Sequence, residues 1–278
     1  MRLQSLCLAC LLSCTAFSHV AQAHDTWFQA LPPVAGAAVL ALGTGNRFPV
    51  QESGVGAEYL QRQGCSRTGV DGRDAAKTLM RPLHNVAHAL ILRGPQQAKS
   101  CWAQLVPLDI ELPADKVAIY LREVQPDPAL RAAWADMQRR GVPWKERYTK
   151  HARIDLAGGD ADPVPMDMDI VREATVNGSF SFRVLRDGLP LPGLAVEWIS
   201  DAAALGIWRR TDGEGRVQVP ALPQGRWVLR GTDLRLSDSE PDRWVSRFVT
   251  LAFDVPSAAP AAPAAPAKVV GASSQPPR

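Results

Sequence analysis

The chain has 278 residues, of which 46% are hydrophobic and 21% charged, and its formal net charge is +3 at pH 7. This length allows one large domain or two ordinary domains, each able to bury a hydrophobic core. The small net charge gives no reason to expect nucleic-acid binding. Beyond the N-terminal segment, no apolar run reaches the ~20 residues that a membrane-spanning helix needs.

The first 23 residues have the pattern of a secretory signal peptide. Arg2 is followed by an apolar run and then by small residues at Ala21 and Ala23, which form an Ala-x-Ala cleavage site. A lipoprotein cysteine at Cys14 is the lower-ranked alternative. Cleavage after Ala23 predicts a periplasmic protein whose mature chain begins at His24.

An N-terminal histidine is a chelating residue, because its neutral α-amine and its imidazole can bind one ion together. This pair of nitrogen ligands suits Cu(II), Ni(II) or Zn(II). The alternative is that His24 is an arbitrary first residue. The mature chain contains few other histidines that could complete a site with it, namely His84, His88 and His151.

Short apolar segments separated by turn residues favour β-strands over residues 26–74. One buried strand is predicted at residues 39–42 and another at residues 83–92. In the second strand the period of two places His84 and His88 on the same face. We expect them to approach His24, the alternative being that they are half-buried polar residues of a strand.

Cys65 and Cys101 are the two cysteines that remain after signal removal. In an oxidising compartment an even pair of this kind predicts a disulfide. Free thiols or a cysteine metal site are the alternatives.

Strands are predicted at residues 101–108 and 116–121, and one helix follows near residues 127–140. Asp127 can cap this helix with Pro128 in its first turn, and Gly141 can end it.

Residues 147–156 alternate like a strand with one polar face, and Lys150 is the exception on the other face. His151 lies on the polar face. It is therefore predicted to be either a solvated surface histidine or a third imidazole of the metal site.

A second unit is predicted after residue 172, because short strands there alternate with tight turns, as in a small β-sandwich. The N-terminal β-rich domain would cover residues 24–172 and the second domain residues 173–255. Residues 256–278 are rich in Pro and Ala and predict a disordered tail. Strands of the second unit are expected at residues 180–184, 195–199, 217–219, 225–230 and 244–255.

The sequence resembles two known types of protein. Residues 187–193 (DGLPLPG), 211–215 (TDGEG) and 225–229 (GRWVL) are similar to prealbumin-like modules of bacterial surface proteins. The order of several further segments resembles exported proteins of unknown function labelled NikM-like nickel-uptake components. These segments are residues 23–27 (AHDTW), 45–49 (GNRFP), 120–123 (YLRE), 146–153 (ERYTKHAR) and 188–191 (GLPL).

The nickel-family resemblance implies a periplasmic location, a β-rich fold and an association with transition-metal transport, with His24 as the matching functional residue. The sequence thus predicts a mainly β protein of two Ig-like or prealbumin-like sandwiches, the first with one inserted helix. We expect it to bind Ni(II) or Cu(II) and to meet a membrane transporter or another periplasmic protein.

No common catalytic motif occurs in the sequence, so a non-enzyme is expected. Two alternatives stay open at this point. One is a metal-free interaction protein, and the other is a copper oxygenase with an N-terminal histidine chelate.

Overall fold

The computed structural model describes residues 25–34, 37–67, 81–82, 90–94, 98–156, 162–176, 179–203 and 205–256. The predicted signal peptide and nearly all of the predicted tail therefore lie outside the described residues. The described chain is mainly β, as predicted. No helix within it is long and apolar enough to cross a membrane.

The described strands pair into three sheets. Helices α1 (Ala114–Val124) and α2 (Pro128–Arg139) lie between β8 and β9 in the sequence. In chain order the strands are β1 (Asp25–Val34), β2 (Ala37–Gly45), β3 (Ser53–Gly54), β4 (Leu60–Arg67), β5 (Arg81–Pro82), β6 (Leu90–Gly94), β7 (Ala98–Leu105), β8 (Leu108–Leu112), β9 (Trp144–Asp155), β10 (Met168–Val176), β11 (Ser179–Arg186), β12 (Leu189–Pro190), β13 (Ala195–Ser200), β14 (Ile207–Arg210), β15 (Arg216–Val219), β16 (Gly225–Leu236) and β17 (Trp244–Val255).

The largest sheet has eight strands in the order β14-β13-β16-β17-β9-β7-β4, and β8 also pairs with β9. Its centre is the parallel pair of β9 and β17, which matches Trp244 with Glu146 and Phe253 with Asp155. Strands from both predicted domains thus share one sheet, and β10 runs across the predicted boundary at residue 172. The division into two domains stays a prediction.

Each face of the large sheet packs against a different layer. Successive residues of a strand point to opposite faces, so Val249 and Leu251 pack with the sheet of β10, β11, β12 and β15. On the other face, Ala252 and Ile154 pack with the sheet of β1, β2, β3, β5 and β6, and Phe248 packs with both helices. The described chain therefore forms three layers.

Helix α2 confirms the predicted helix. The Asp127 side chain accepts a hydrogen bond from the Ala129 backbone N–H at 2.8 Å, and Pro128 occupies the first turn. Gly141 follows the helix at a φ of 71°, a conformation that glycine adopts without strain.

The strand predicted at residues 116–121 is wrong, because this segment lies in helix α1. Val117, Tyr120, Leu121 and Val124 are buried at the spacing i, i+3, i+4 and i+7, which is the helical period. Among the described residues before residue 172 there are consequently two α-helices instead of one inserted helix.

The strands predicted at residues 39–42, 147–156, 180–184, 195–199, 217–219, 225–230 and 244–255 are confirmed by β2, β9, β11, β13, β15, β16 and β17. The segment predicted at residues 101–108 is divided, since β7 ends at Leu105 and β8 begins at Leu108. Of the strand predicted at residues 83–92, only the part from Leu90 onward is described, as β6.

Candidate functional site

An ion-pair cluster surrounds the first described residue of the chain. The Arg230 guanidinium bonds to the Asp25 carboxylate and donates from Nε to Glu197 Oε2 at 2.8 Å. Asp25 and Glu197 are both only 8% exposed as whole residues. Arg230 therefore bridges two nearly buried carboxylates that would otherwise repel each other and offsets one of their two negative charges.

Two further charged residues belong to this group, which we call the Asp25 cluster (Asp25, Glu123, Lys150, Glu197 and Arg230). Burial raises the pKa of Glu123, Arg230 opposes this shift, and the Asp25 charge adds to it. Burial lowers the pKa of Lys150 to about 8, although the nearby Asp25 carboxylate favours the charged amine. The cluster thus holds carboxylates and one amine close to the start of the chain's first strand.

A cavity of about 10 Å³ lies beside the cluster, enough for one water molecule. Carboxylates of Asp25 and Glu123 contribute to its walls, together with Arg230, Thr232 and Trp208. Neighbouring side chains therefore do not fill all the space around the charged groups of the cluster.

Strands of two sheets and one helix fix the position of the cluster. Strand β1 begins at Asp25, and the Thr250 hydroxyl donates to the Thr26 carbonyl at 2.6 Å, which attaches β1 to the large sheet. Arg230 and Glu197 are direct cross-strand partners on β16 and β13. Glu123 lies in the last turn of α1.

His151 is buried, so its prediction as a solvated surface histidine is wrong. It is 1% exposed, and its Nδ1 lies 3.0 Å from the Phe248 carbonyl, which makes Nδ1 the protonated donor. Nε2 is also buried and has no hydrogen-bond partner among the described residues. Burial lowers the pKa of His151 to about 4, so the ring is neutral at pH 7.

His151 and Lys150 are neighbours in β9 and therefore point to opposite faces of the large sheet. Lys150 is on the face of the Asp25 cluster. His151 is on the other face, where Gln104 and Asp167 bond to each other at 2.6 Å.

The other predicted ligands, His24, His84 and His88, lie outside the described residues. The parts of the chain that are described hold no group of three or more His, Cys, Asp or Glu side chains arranged to bind a metal. The metal site stays a prediction.

The predicted cysteine pair comes together. Cys65 and Cys101 face each other across β4 and β7, and their sulfur atoms are 2.07 Å apart, at disulfide distance.

A second arginine binds two carboxylates in the large sheet, and we call this group the Arg153 cluster (Arg153, Asp155 and Asp169). Arg153 donates to Asp155 at 3.0 Å and to Asp169 at 2.9 Å. The three side chains are no more than 2% exposed. This cluster is sealed inside the protein and lies on the His151 face of β9.

Sequence reasoning did not identify Arg230, Glu197 or Glu123 as members of a site. Arg230 and Asp25 are 205 positions apart, and no local pattern connects them. Lys150 did leave a signal, because it interrupts the alternation of β9 by placing a charge on the less polar face.

No protein-family model matches the chain, and no curated protein matches it at a significant level. The resemblance to nickel-uptake components therefore stays a prediction.

Proposed function

We propose that this chain is an exported protein that binds a divalent transition metal, Ni(II) or Cu(II), at its mature N-terminus. The chelate would consist of the α-amine and imidazole of His24, completed by His84 or His88. A cut after Ala23 creates this amine beside Asp25, and the anchored position of Asp25 is the observation that carries the proposal.

The start of β1 is held in place from both sides. Asp25 is bonded to Arg230 of the large sheet and pairs with Gly45 of β2. The Thr26 hydroxyl lies 3.0 Å from the hydroxyl of Thr44, which is also on β2. A ligand attached directly to Asp25 therefore starts from a fixed point, which reduces the conformational entropy lost on metal binding.

Strand register also supports a role for His84 and His88. Leu42 pairs with Leu90, which also pairs with Pro82. Because β1, β5 and β2 each run antiparallel to their neighbours in this sheet, β5 ends and β6 begins at the end of the sheet where Asp25 lies. The described residues on either side of the segment with both histidines, Pro82 and Leu90, thus lie at that end, about 14 Å and about 10 Å from β1 at the usual strand spacing.

The charges near Asp25 suit a cation. Arg230 carries one positive charge against the two carboxylates of Asp25 and Glu197, and Glu123 supplies a further carboxylate. His151 is not part of the proposed site, because its side chain is on the opposite face of the sheet from Lys150.

The remaining parts of the proposal rest on the sequence. We place the protein in the periplasm, with a membrane transporter or another periplasmic protein as its partner in metal handling. The strands after residue 172 would form a prealbumin-like sandwich and those before it an Ig-like one. In this proposal the protein binds the metal and does not catalyse a reaction.

Calorimetric titration with Cu(II) and Ni(II) tests the proposal. Protein shown by mass spectrometry to begin at His24 is compared with protein carrying five extra N-terminal glycines, which turns the His24 amine into an amide and moves the free α-amine out of chelating reach but leaves every side chain. We expect at least tenfold weaker binding after the extension. Equal affinity of the two proteins would refute the proposal.

Single variants then assign the remaining ligands. His84→Ala and His88→Ala are compared with His151→Asn, which keeps a donor for the Phe248 carbonyl. We expect weaker Cu(II) binding in at least one of the first two and unchanged binding in the third.

A further inference from the structure

A second cleft lies apart from the Asp25 cluster, between β1 and the end of the large sheet. Its volume is about 200 Å³, and its walls come from β1, β9, β16 and β17 and from Phe48. The cleft can therefore hold a small organic molecule.

Apolar side chains form most of this cleft. Ile154 and Ala252 are register partners on β9 and β17 and share one face of the large sheet. Phe28 and Phe48 line the cleft with them and belong to the same hydrophobic cluster. Aromatic and aliphatic walls of this kind favour a ligand with an apolar body.

The two charged side chains on this face of the cleft differ, because one is bonded to a residue of opposite charge and the other is not. Arg226 and Asp254 are direct partners on β16 and β17, which places both side chains on the face of Ala252. Arg226 nevertheless donates from Nε to Asp201 Oδ2 at 2.9 Å. The Asp254 side chain is exposed, and its carboxylate forms no hydrogen bond or ion pair with any described residue.

Asp155 also lines the cleft, but its side chain points to the opposite face of β9 from Ile154 and is bonded there to Arg153. The uncompensated charge on the described walls is therefore the negative charge of Asp254. It lies beside an apolar surface, which is the combination that recognises an organic cation.

We infer that this cleft binds a small organic amine, with its apolar body against Phe28, Phe48 and Ile154 and its ammonium group on Asp254. An ammonium ion forms a charge-assisted hydrogen bond with a carboxylate, and the aromatic rings add apolar and cation–π contacts. This site does not depend on the metal-binding proposal, since it uses no histidine and no member of the Asp25 cluster.

The test is an NMR titration of the full mature protein with 2-phenylethylamine, followed through backbone amide shifts. We expect saturable shifts at Phe28, Ala252 and Asp254. The same titration with 3-phenylpropionate, which has a similar apolar body and the opposite charge, is expected to give at least tenfold weaker binding.

Two variants locate the amine. Asp254→Asn removes the carboxylate charge and should weaken 2-phenylethylamine binding at least tenfold, whereas Asp238→Asn, at another exposed aspartate, should leave it unchanged. Ala30→Trp should abolish binding, because Ala30 lines the cleft and is exposed, so that a large ring there fills the space without disturbing the core.

Circular dichroism of each variant verifies the fold. The inference is overturned if Asp254→Asn binds the amine as well as wild type, if the carboxylate probe binds more tightly, or if no saturable shifts occur at the cleft.

Discussion

The Arg153 and Asp25 clusters share one chemical motif, an arginine with two bonded carboxylates, in two different environments. In the first, the side chains of Arg153, Asp155 and Asp169 are at most 2% exposed. In the second, the Arg230 side chain is 22% exposed and that of Asp25 is 12% exposed. The same charges are thus sealed in one place and reachable by solvent in the other.

This difference separates a structural role from a possible binding role. A sealed ion pair cannot accept a new ligand without unfolding of its surroundings, and loss of one partner leaves a buried charge uncompensated. The Asp25 cluster has a small cavity beside it and a further carboxylate on Glu123. Only this cluster can change its contacts while the fold is kept.

The largest expected effect comes from the sealed cluster. Arg153→Met leaves two buried carboxylates without their cation, and we expect it to lower the free energy of unfolding by about 3–5 kcal/mol. Urea unfolding measures this loss.

Arg139→Met is the control, because the Arg139 side chain is 70% exposed in its pair with Asp136. Its expected cost is below about 1 kcal/mol. Equal losses in the two variants would show that the Arg153 cluster is not sealed.

The second prediction concerns pH and the buried imidazole. His151 has a folded pKa of about 4, below the usual value of about 6.5. The unfolded chain therefore takes up this proton first, and stability is lost as the pH falls from about 6.5 towards 4. At about 1.4 kcal/mol for each pKa unit, the loss approaches 3 kcal/mol.

Unfolding of wild type and His151→Asn across this pH range measures the effect. Charges of Asp167, Arg247 and Arg62 act on His151 and are present in both proteins, so their own titration largely cancels in the difference. A difference that does not change with pH would contradict the low pKa.

A smaller effect is expected at the accessible cluster. Arg230→Gln leaves Asp25 and Glu197 facing each other, but solvent reaches both side chains in part. We expect a loss of about 1–2 kcal/mol, smaller than that of Arg153→Met. A loss as large as that of Arg153→Met would mean that the two clusters are equally buried.

Much of the sheet structure was predictable, because alternating residues in β9 and β11 give a period of two and tight turns mark the ends of later strands. Helix α1 was not predicted, since the stretch from Lys116 to Leu121 is short and apolar and can be taken for a strand. The longer spacing from Val117 to Val124 would have revealed it.

The site was less predictable than the fold. The disulfide between Cys65 and Cys101 was predicted from an oxidising compartment and an even number of cysteines, and the structure places the two residues together. Arg230 could not be found, because its partner Asp25 belongs to a strand of another layer. His151 was predicted on the correct face of its strand but wrongly as exposed. Other elements cover that face, and the pattern of a single strand does not show how elements pack on it.

Paramagnetic NMR with bound Cu(II) tests the central claim most directly. One equivalent of Cu(II) is added to protein that begins at His24, and the loss of backbone amide signals near the ion is mapped. The proposal predicts loss at Thr26, Gly45 and Arg230, with signals of Gln104 and Val217 retained. Loss centred on Gln104 and Asp167, or loss spread evenly over the protein, would contradict a metal site at the mature N-terminus.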